Sequence, residues 1–260
     1  MPSTPGSLDI LAIAAHRDDV EQTCGGTLLK MAQRGQRTGI LDLTQGEMGT
    51  RGSADDRARE ATDAAKILNV VWRRALDIPD GRVENTWENR LKVASVIRET
   101  RPRVVILPYW KGRHPDHYTC SVLGYEACFL AGLSKLDPQG ALSNQQSAVG
   151  VQDAGTAKLA PHRPFKIIYA TIYYDVRPTF VVDISEQFDQ KVASIFAYKS
   201  QYSDQEAGKD IFLAHDEIHA RVESMARYYG ALGGVTYAEP FLQKEVGLVE
   251  DLLAIPVKSI

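Results

Sequence analysis

Leu8-Asp9-Ile10-Leu11-Ala12-Ile13-Ala14-Ala15-His16-Arg17-Asp18-Asp19-Val20-Glu21 is the stretch whose reading decides the fold. The apolar run from Leu8 to Ala14 reads as a buried strand, bounded in front by a tail containing Pro, Gly and Ser. Behind it, Gly25-Gly26 opens Thr27-Leu28-Leu29-Lys30-Met31-Ala32-Gln33-Arg34, a helical stretch that Gly35 ends as a C′ residue. His16 and its two carboxylates therefore stand on a strand-to-helix turn. In an open parallel α/β sheet, that turn borders the crevice at the carboxyl ends of the strands, where ligands bind.

Working outward, the same alternation repeats. Thr38 to Thr44 reads as the second strand, Arg57 to Leu68 as a helix with Ser53, Asp55 and Asp56 at its start, and Trp72 to Ile78 as a shorter strand. Asn85 to Arg98 is an amphipathic helix closed before Pro102, and Arg103 to Pro108 is the most clearly buried strand. Tyr118 to Leu133 continues as a helix. Lys166 to Tyr174 and Phe180 to Ile184 read as strands, Ser185 as the cap of a helix over Glu186 to Ser200, and His215 to Tyr229 as the last long helix. The expected fold is α/β: a Rossmann-like, mostly parallel sheet flanked by helices on both faces, forming one domain over 1–260. Residues 138–161 are rich in Gly, Ser, Gln and Ala and read as a flexible surface loop or lid.

Composition narrows the function. A 44% hydrophobic chain of 260 residues with net charge -3 has room for a sizeable core and no basic excess to attract nucleic acid. There is no run of about eighteen apolar residues, so no membrane partner is expected. The start of the chain lacks a charged and then apolar leader, and Cys24, Cys120 and Cys128 show no disulfide spacing, so a reducing cytoplasm is the expected location. Cys24 lies close enough to the turn to be a ligand, but small-residue packing is its plainer role.

His16 and Asp19, three apart, face one way if the turn coils like a helix start. His117, in His114-Pro115-Asp116-His117, supplies a second imidazole from across the crevice. Two His and a carboxylate make a three-ligand set for catalytic zinc, with Asp18 beside it as a general base on water. Pro115 suits a first helical position, so His114 is a plausible N-cap, and the helix dipole favours a neutral His117. The plainer alternative is that an Asp pair before a helix caps it and offsets the dipole. His215 and His219 share a helix face, which is more simply a solvated one.

Resemblance bears on the choice. His16-x-Asp18-Asp19-x-Glu21 and His114-Pro115-Asp116-His117 resemble the motifs of the PIG-L/LmbE-like zinc-dependent N-acetylglucosaminyl deacetylases. Gly46-Glu47-Met48-Gly49-Thr50-Arg51-Gly52, Ile78-Pro79-Asp80-Gly81, Pro161-His162-Arg163-Pro164, Ala197-Tyr198-Lys199-Ser200-Gln201 and Tyr237-Ala238-Glu239-Pro240-Phe241 are similar to the branch containing the bacillithiol-pathway deacetylases. The resemblance implies one Zn2+ on His16, Asp19 and His117, with Asp18 as base and His114 steadying the oxyanion. It implies Arg51 as a substrate contact, the alternative being an ion pair with Glu47 or Asp55. Asp80 is a turn residue placed to meet substrate or a metal ligand, and Arg113 joins Arg51 in favouring an anionic aglycone. The implied substrate is a small-molecule GlcNAc conjugate, N-acetylglucosaminyl malate above chitobiose or an antibiotic sugar, with a non-catalytic sugar binder as the rival from another class. A homo-oligomer, trimer or hexamer, is also implied, with Val246 to Val257 able to serve it. Two departures stand out. Arg17 occupies the family's usual Pro position, to act on Asp18 or to face solvent, and Gln22-Thr23 replace an apolar residue and Gly, where only local packing is at issue.

Overall fold

The computed structural model describes residues 6–138, 159–171, 174–203 and 213–255. Seven strands, β1 (Ile10–Ala14), β2 (Thr38–Asp42), β3 (Trp72–Ala75), β4 (Val104–Pro108), β5 (Lys166–Ala170), β6 (Phe180–Asp183) and β7 (Ala238–Leu242), lie in the order β3-β2-β1-β4-β5-β7-β6. The first five are parallel, and β7 runs antiparallel to β5 and β6. The expected mostly parallel sheet is present, with an antiparallel edge. Strand order reverses between β1 and β4, which pair with Ile10 opposite Val104. A reversal of this kind opens a crevice at the carboxyl ends of the two strands.

Among the described residues the α-helices are α1 (Asp19–Gln33), α2 (Ala54–Ile67), α3 (Trp87–Thr100), α4 (Pro115–Ala131), α5 (Phe188–Phe196), α6 (Lys199–Tyr202) and α7 (His215–Gly233), with a 3-10 turn at Leu252–Ala254. The period-2 alternation of a strand sends successive side chains to opposite faces. Leu11 and Ile13 of β1 pack with Val93, Ile97, Leu123 and Ala127 from α3 and α4. Ile10, Ala12 and Ala14 pack with Val20, Cys24 and Leu28 from α1. Both faces are therefore covered, which explains why the core strands read as continuous apolar runs. Cys24 belongs to this packing, and burial pushes its thiol up to about 12.

α1 starts at Asp19, ahead of the stretch expected from Thr27, yet Cys24 leaves helical geometry (φ -143°) and splits it. The split exposes backbone groups that a continuous helix would pair. Glu239 of β7 accepts from the N–H groups of Gly26 (2.9 Å) and Thr27 (2.7 Å). Lys191 of α5 donates to the carbonyls of Glu21 (3.2 Å) and Gln22 (2.7 Å), and pairs with Glu239 at 2.6 Å. One buried ion pair thus caps both halves of the break.

The helix expected over Glu186 to Ser200 is two helices, and Ser185 does not cap it. Gln187 occupies the N-cap, and Ser185 Oγ donates to Asp183 Oδ1 at 2.6 Å. The interruption at Ala197-Tyr198 lets the Tyr198 hydroxyl reach Glu21 Oε1 at 3.0 Å beneath the first motif. The strand expected through Tyr174 ends at Ala170. Apart from its ends, the 138–161 loop lies outside the described residues. No helix among the described residues is long and apolar enough to cross a membrane.

Candidate active site

β1 and β4 each end in a turn at the strand-order reversal, and those turns carry the two motifs. His16 Nδ1 lies 3.2 Å from His117 Nε2, Asp19 Oδ2 is 3.4 Å from His16 Nδ1, and Asp19 Oδ1 is 3.2 Å from His117 Nε2. The His16 N–H donates to Asp19 Oδ2 at 2.9 Å, which tightens the turn and fixes the carboxylate. Donors arranged tetrahedrally at zinc distances of ~2.0–2.1 Å stand ~3.3 Å apart. The two nitrogens match that spacing and each has one Asp19 oxygen at a similar distance, so His16, Asp19 and His117 fit a divalent metal that would take one atom from each.

The other nitrogen of His16 is held from behind. Asp80 Oδ1 is 3.1 Å from His16 Nε2 and Asp116 Oδ2 is 3.4 Å from it. Asp80 Oδ2 accepts from the Met48 N–H (3.0 Å), and Asp116 accepts from Gly81 N–H (2.9 Å) and Val83 N–H (3.1 Å). Carboxylates on Nε2 would keep a proton there when a metal displaces the one on Nδ1, the arrangement that orients metal-bound histidines.

Electrostatics agree with a cation-seeking pocket. Burial opposes charging His16, but Asp19, Asp116 and Asp80 outweigh it and push the group up to about 12. Burial likewise works against the charged His117, yet the Asp19 carboxylate raises it above its ordinary value. The expectation that the helix dipole keeps His117 neutral therefore gives way to a carboxylate at 3.2 Å. The two imidazoles hold Asp19 well below the usual carboxylate range despite its burial.

His114 is the N-cap of α4, with Pro115 following. Its Nδ1 accepts from the Asp116 N–H at 3.2 Å, so the remaining ring nitrogen carries the hydrogen. Burial and the neighbouring His16 and His117 lower its pKa. The ring stacks on His117 with centroids 4.8 Å apart.

Asp18 is clamped. Arg57 Nη2 of α2 donates to Oδ1 at 2.7 Å, the Tyr202 hydroxyl of α6 to Oδ2 at 2.5 Å, and Gln22 Nε2 reaches Oδ2 at 3.4 Å. Gly46 lets Arg57 pass. It sits at φ +74°, and a Cβ there would stand 2.8 Å from Arg57 Nη1. Arg17 takes neither of its expected roles. It is buried, its Nη1 donates to the Ala54 carbonyl at 2.7 Å, and its own carbonyl accepts from Arg73 and Tyr198.

A cleft of about 520 Å³ opens over these residues, lined by Asp19, His114 and His117, by Tyr109, Tyr174 and Tyr202, and by Lys111, Arg113 and Arg221. That volume suits a small ligand. Arg113 thus stands at the cleft wall. Arg51 is buried and does not line the cleft; its Nη1 donates to the Gln201 carbonyl at 3.1 Å while Gln201 Nε2 donates back to the Arg51 carbonyl at 2.6 Å. Glu47, with Asp55 one of the two alternative ion-pair partners expected for Arg51, accepts from the Asp80 N–H at 2.8 Å.

Sequence reading missed Arg57, Tyr202 and the role of Asp116. It also missed the buried cluster in which Arg73 joins Asp42 (2.8 Å) to Glu21 (2.6 Å) under the first motif. An arginine on a helix looks the same in sequence whether it faces solvent or a carboxylate. The HPDH run offered the one available signal, for Asp116.

Residues 11–128 match the model of the family described as PIG-L: GlcNAc-PI de-N-acetylase. The chain is 31% identical over 241 residues to a diacetylchitobiose deacetylase from Thermococcus kodakarensis, covering 88% of this chain and 80% of that protein. The chain belongs to the PIG-L family. With the family described as a de-N-acetylase and its relative named a deacetylase, the chain is an N-deacetylase. Among solved structures, the conserved protein TT1542 from Thermus thermophilus superposes on this PIG-L chain with a TM-score of 0.77 at 36% identity, over 94% of this chain and 98% of that one. An N,N'-diacetylchitobiose deacetylase from Pyrococcus horikoshii does so with a TM-score of 0.73 at 25% identity, over 89% and 82%. In this PIG-L chain the Arg17 departure leaves the motif's geometry intact, because the side chain leaves the site altogether.

Proposed function

We propose that this PIG-L protein hydrolyses the N-acetyl group of a small GlcNAc conjugate, with one zinc ion held by His16, Asp19 and His117. The observation that carries the reading is the convergence of two imidazole nitrogens, 3.2 Å apart, on the Asp19 carboxylate, whose Oδ1 lies 3.2 Å from His117 and whose Oδ2 lies 3.4 Å from His16, beneath a cleft wide enough for a sugar conjugate. When bound, the metal supplies Lewis-acid activation of a water and of the amide carbonyl.

The chain's own residues supply the rest. Asp18, held by Arg57 and Tyr202, takes the proton from the attacking water. His114, whose Nδ1 is already an acceptor, presents its other N–H to the carbonyl oxygen as charge develops there. Asp18, now carrying the proton, delivers it to the leaving amine as the C–N bond breaks, and acetate departs. Asp80 and Asp116 keep His16 turned toward Asp19 and His117 throughout.

For the conjugate itself, the cationic wall of Lys111, Arg113 and Arg221 favours an anionic aglycone, and N-acetylglucosaminyl malate fits that chemistry. The Thermococcus relative favours a second reading, a neutral chitobiose-type glycan stacked on Tyr109 and Tyr174. We also assign a homo-oligomer. Val246, Leu248, Leu252 and Leu253 are 80% exposed or more, as is Phe165 at 84%, apolar surface that burial in a second copy would cover.

Acetate release from N-acetylglucosaminyl malate, diacetylchitobiose and free GlcNAc, with zinc measured on the same sample, tests the reading. About one zinc per chain and turnover of the malate conjugate support both mechanism and substrate. Turnover of chitobiose alone selects the second reading. No acetate from any of them, with zinc bound, ends the proposal.

A further inference from the structure

Asp18 offers two oxygens and about four lone-pair positions. Arg57 takes one on Oδ1 at 2.7 Å. On Oδ2, the Tyr202 hydroxyl takes one at 2.5 Å and Gln22 Nε2 approaches a second at 3.4 Å. Oδ1, with Arg57 as its one donor, thus keeps an accepting position, while Oδ2 faces both Tyr202 and Gln22. None of these three donors carries a functional expectation in the sequence: Arg57 reads as the start of a helix, Tyr202 lies in the short helix α6, and Gln22 is a departure read as local packing alone. Gln22 and Tyr202 also line the cleft that holds Asp19 and His117.

We propose that Tyr202, with a weaker contribution from Gln22, is a positioning residue that occupies Asp18 Oδ2 and so commits Oδ1 to accepting the proton of the attacking water. This rests on the deacetylase reading and on Asp18 as its base. Arg57 alone, holding one oxygen, leaves the carboxylate free to rotate about the bond to its Cβ. A second donor on the other oxygen fixes the carboxylate plane. Rotation of that plane swings the accepting lone pair away from the water, which slows the chemical step without changing how substrate binds. The Tyr202 ring has its own packing, edge-on to Phe196 with centroids 6.1 Å apart. The hydroxyl and the ring therefore have separable roles, and Phe preserves the second while removing the first.

The test compares wild type, Tyr202→Phe, Tyr202→Leu and Gln22→Ala, each zinc-loaded, on whichever acetylated conjugate the wild type turns over. The expected result for Tyr202→Phe is a kcat about tenfold lower, the rate equivalent of one lost orienting hydrogen bond, with KM and zinc content unchanged. Melting temperature should hold for Tyr202→Phe and drop for Tyr202→Leu, while the kcat loss is similar in both. Gln22→Ala should lose a smaller factor in kcat. A crystal structure of Tyr202→Phe should show the Asp18 carboxylate turned from its wild-type plane. A Tyr202→Phe kcat equal to wild type, or a raised KM with kcat intact, overturns the positioning role while leaving the deacetylase reading standing. A wild type that binds zinc and releases no acetate overturns both together. An unturned Asp18 in an impaired Tyr202→Phe also overturns the proposal, since the loss then has another source.

Discussion

In the proposed metal site, one hydrogen bond from Asp80 would prepare His16 as a ligand. The carboxylate on Nε2 selects the tautomer whose Nδ1 can bind metal, and its own second oxygen is anchored to the Met48 N–H. Replacing Asp80 with Ala should weaken zinc binding about 10- to 100-fold, read by competition with a chelator. Asp18→Ala should keep its zinc and lose about 10²- to 10⁴-fold in kcat, the usual contribution of a general base. Without metal, His16 makes stability depend on pH in a defined direction. Its folded-state pKa of about 12 lies above the ordinary 6.5, so protonation contributes stability that is fully present below 6.5 and is lost as pH rises toward 12. The melting temperature of the metal-free protein should therefore fall as pH rises above 6.5. Zinc, by taking the Nδ1 position, should flatten that slope, and calorimetry of the two forms checks both. A metal-free profile that rises with pH would contradict the carboxylate cage.

At the scale of elements, the break in α1 is the feature on which most depends. The segment before it, capped by Asp18, presents Asp19 to the crevice, and the segment after it packs on the sheet. Glu239 and Lys191, both almost wholly buried, join the halves. Glu239→Ala would strand the Lys191 charge and leave the Gly26 and Thr27 amides without their acceptor. A loss of about 3–5 kcal/mol in urea unfolding is expected, as for other buried pairs with one partner removed. Reading the chain, Gly25-Gly26 signalled that a helical stretch opens there, and it does. Nothing local showed that another helical segment runs into it, because the groups that make a break tolerable lie 170 and 213 residues further on. Ser185 has the same lesson on a smaller scale. Its position fits a cap, but Asp183 competes for its hydroxyl and the helix starts at Phe188.

Across the whole molecule, two surfaces matter. The cleft gathers residues from β1, β4, α6 and α7 and carries three cationic side chains on its wall. The second surface carries the exposed side chains of Val246, Leu248, Leu252 and Leu253. If a second copy covers it, light scattering should give a mass that is a multiple of 28.7 kDa. Leu248→Asp with Leu253→Asp should lower that mass toward one chain, while leaving the far-UV spectrum unchanged. A monomeric wild type would sink the oligomer.

Period and punctuation were enough to determine the layered α/β fold: buried runs such as Val104–Pro108 alternate with capped helices such as the one Ser53 opens, whose capping box with Asp56 is present. Residue chemistry and spacing were also enough to nominate His16, Asp19 and His117, since a His and an Asp three apart on a turn can meet only a few ways. Tertiary structure alone decided which partners hold those groups. Arg57 rather than the adjacent Arg17 reaches Asp18, and Tyr202, 184 residues away in sequence, closes the other side. The reason is physical: periodicity records which face of an element is apolar, but a hydrogen bond between distant elements leaves no mark on the local pattern of either.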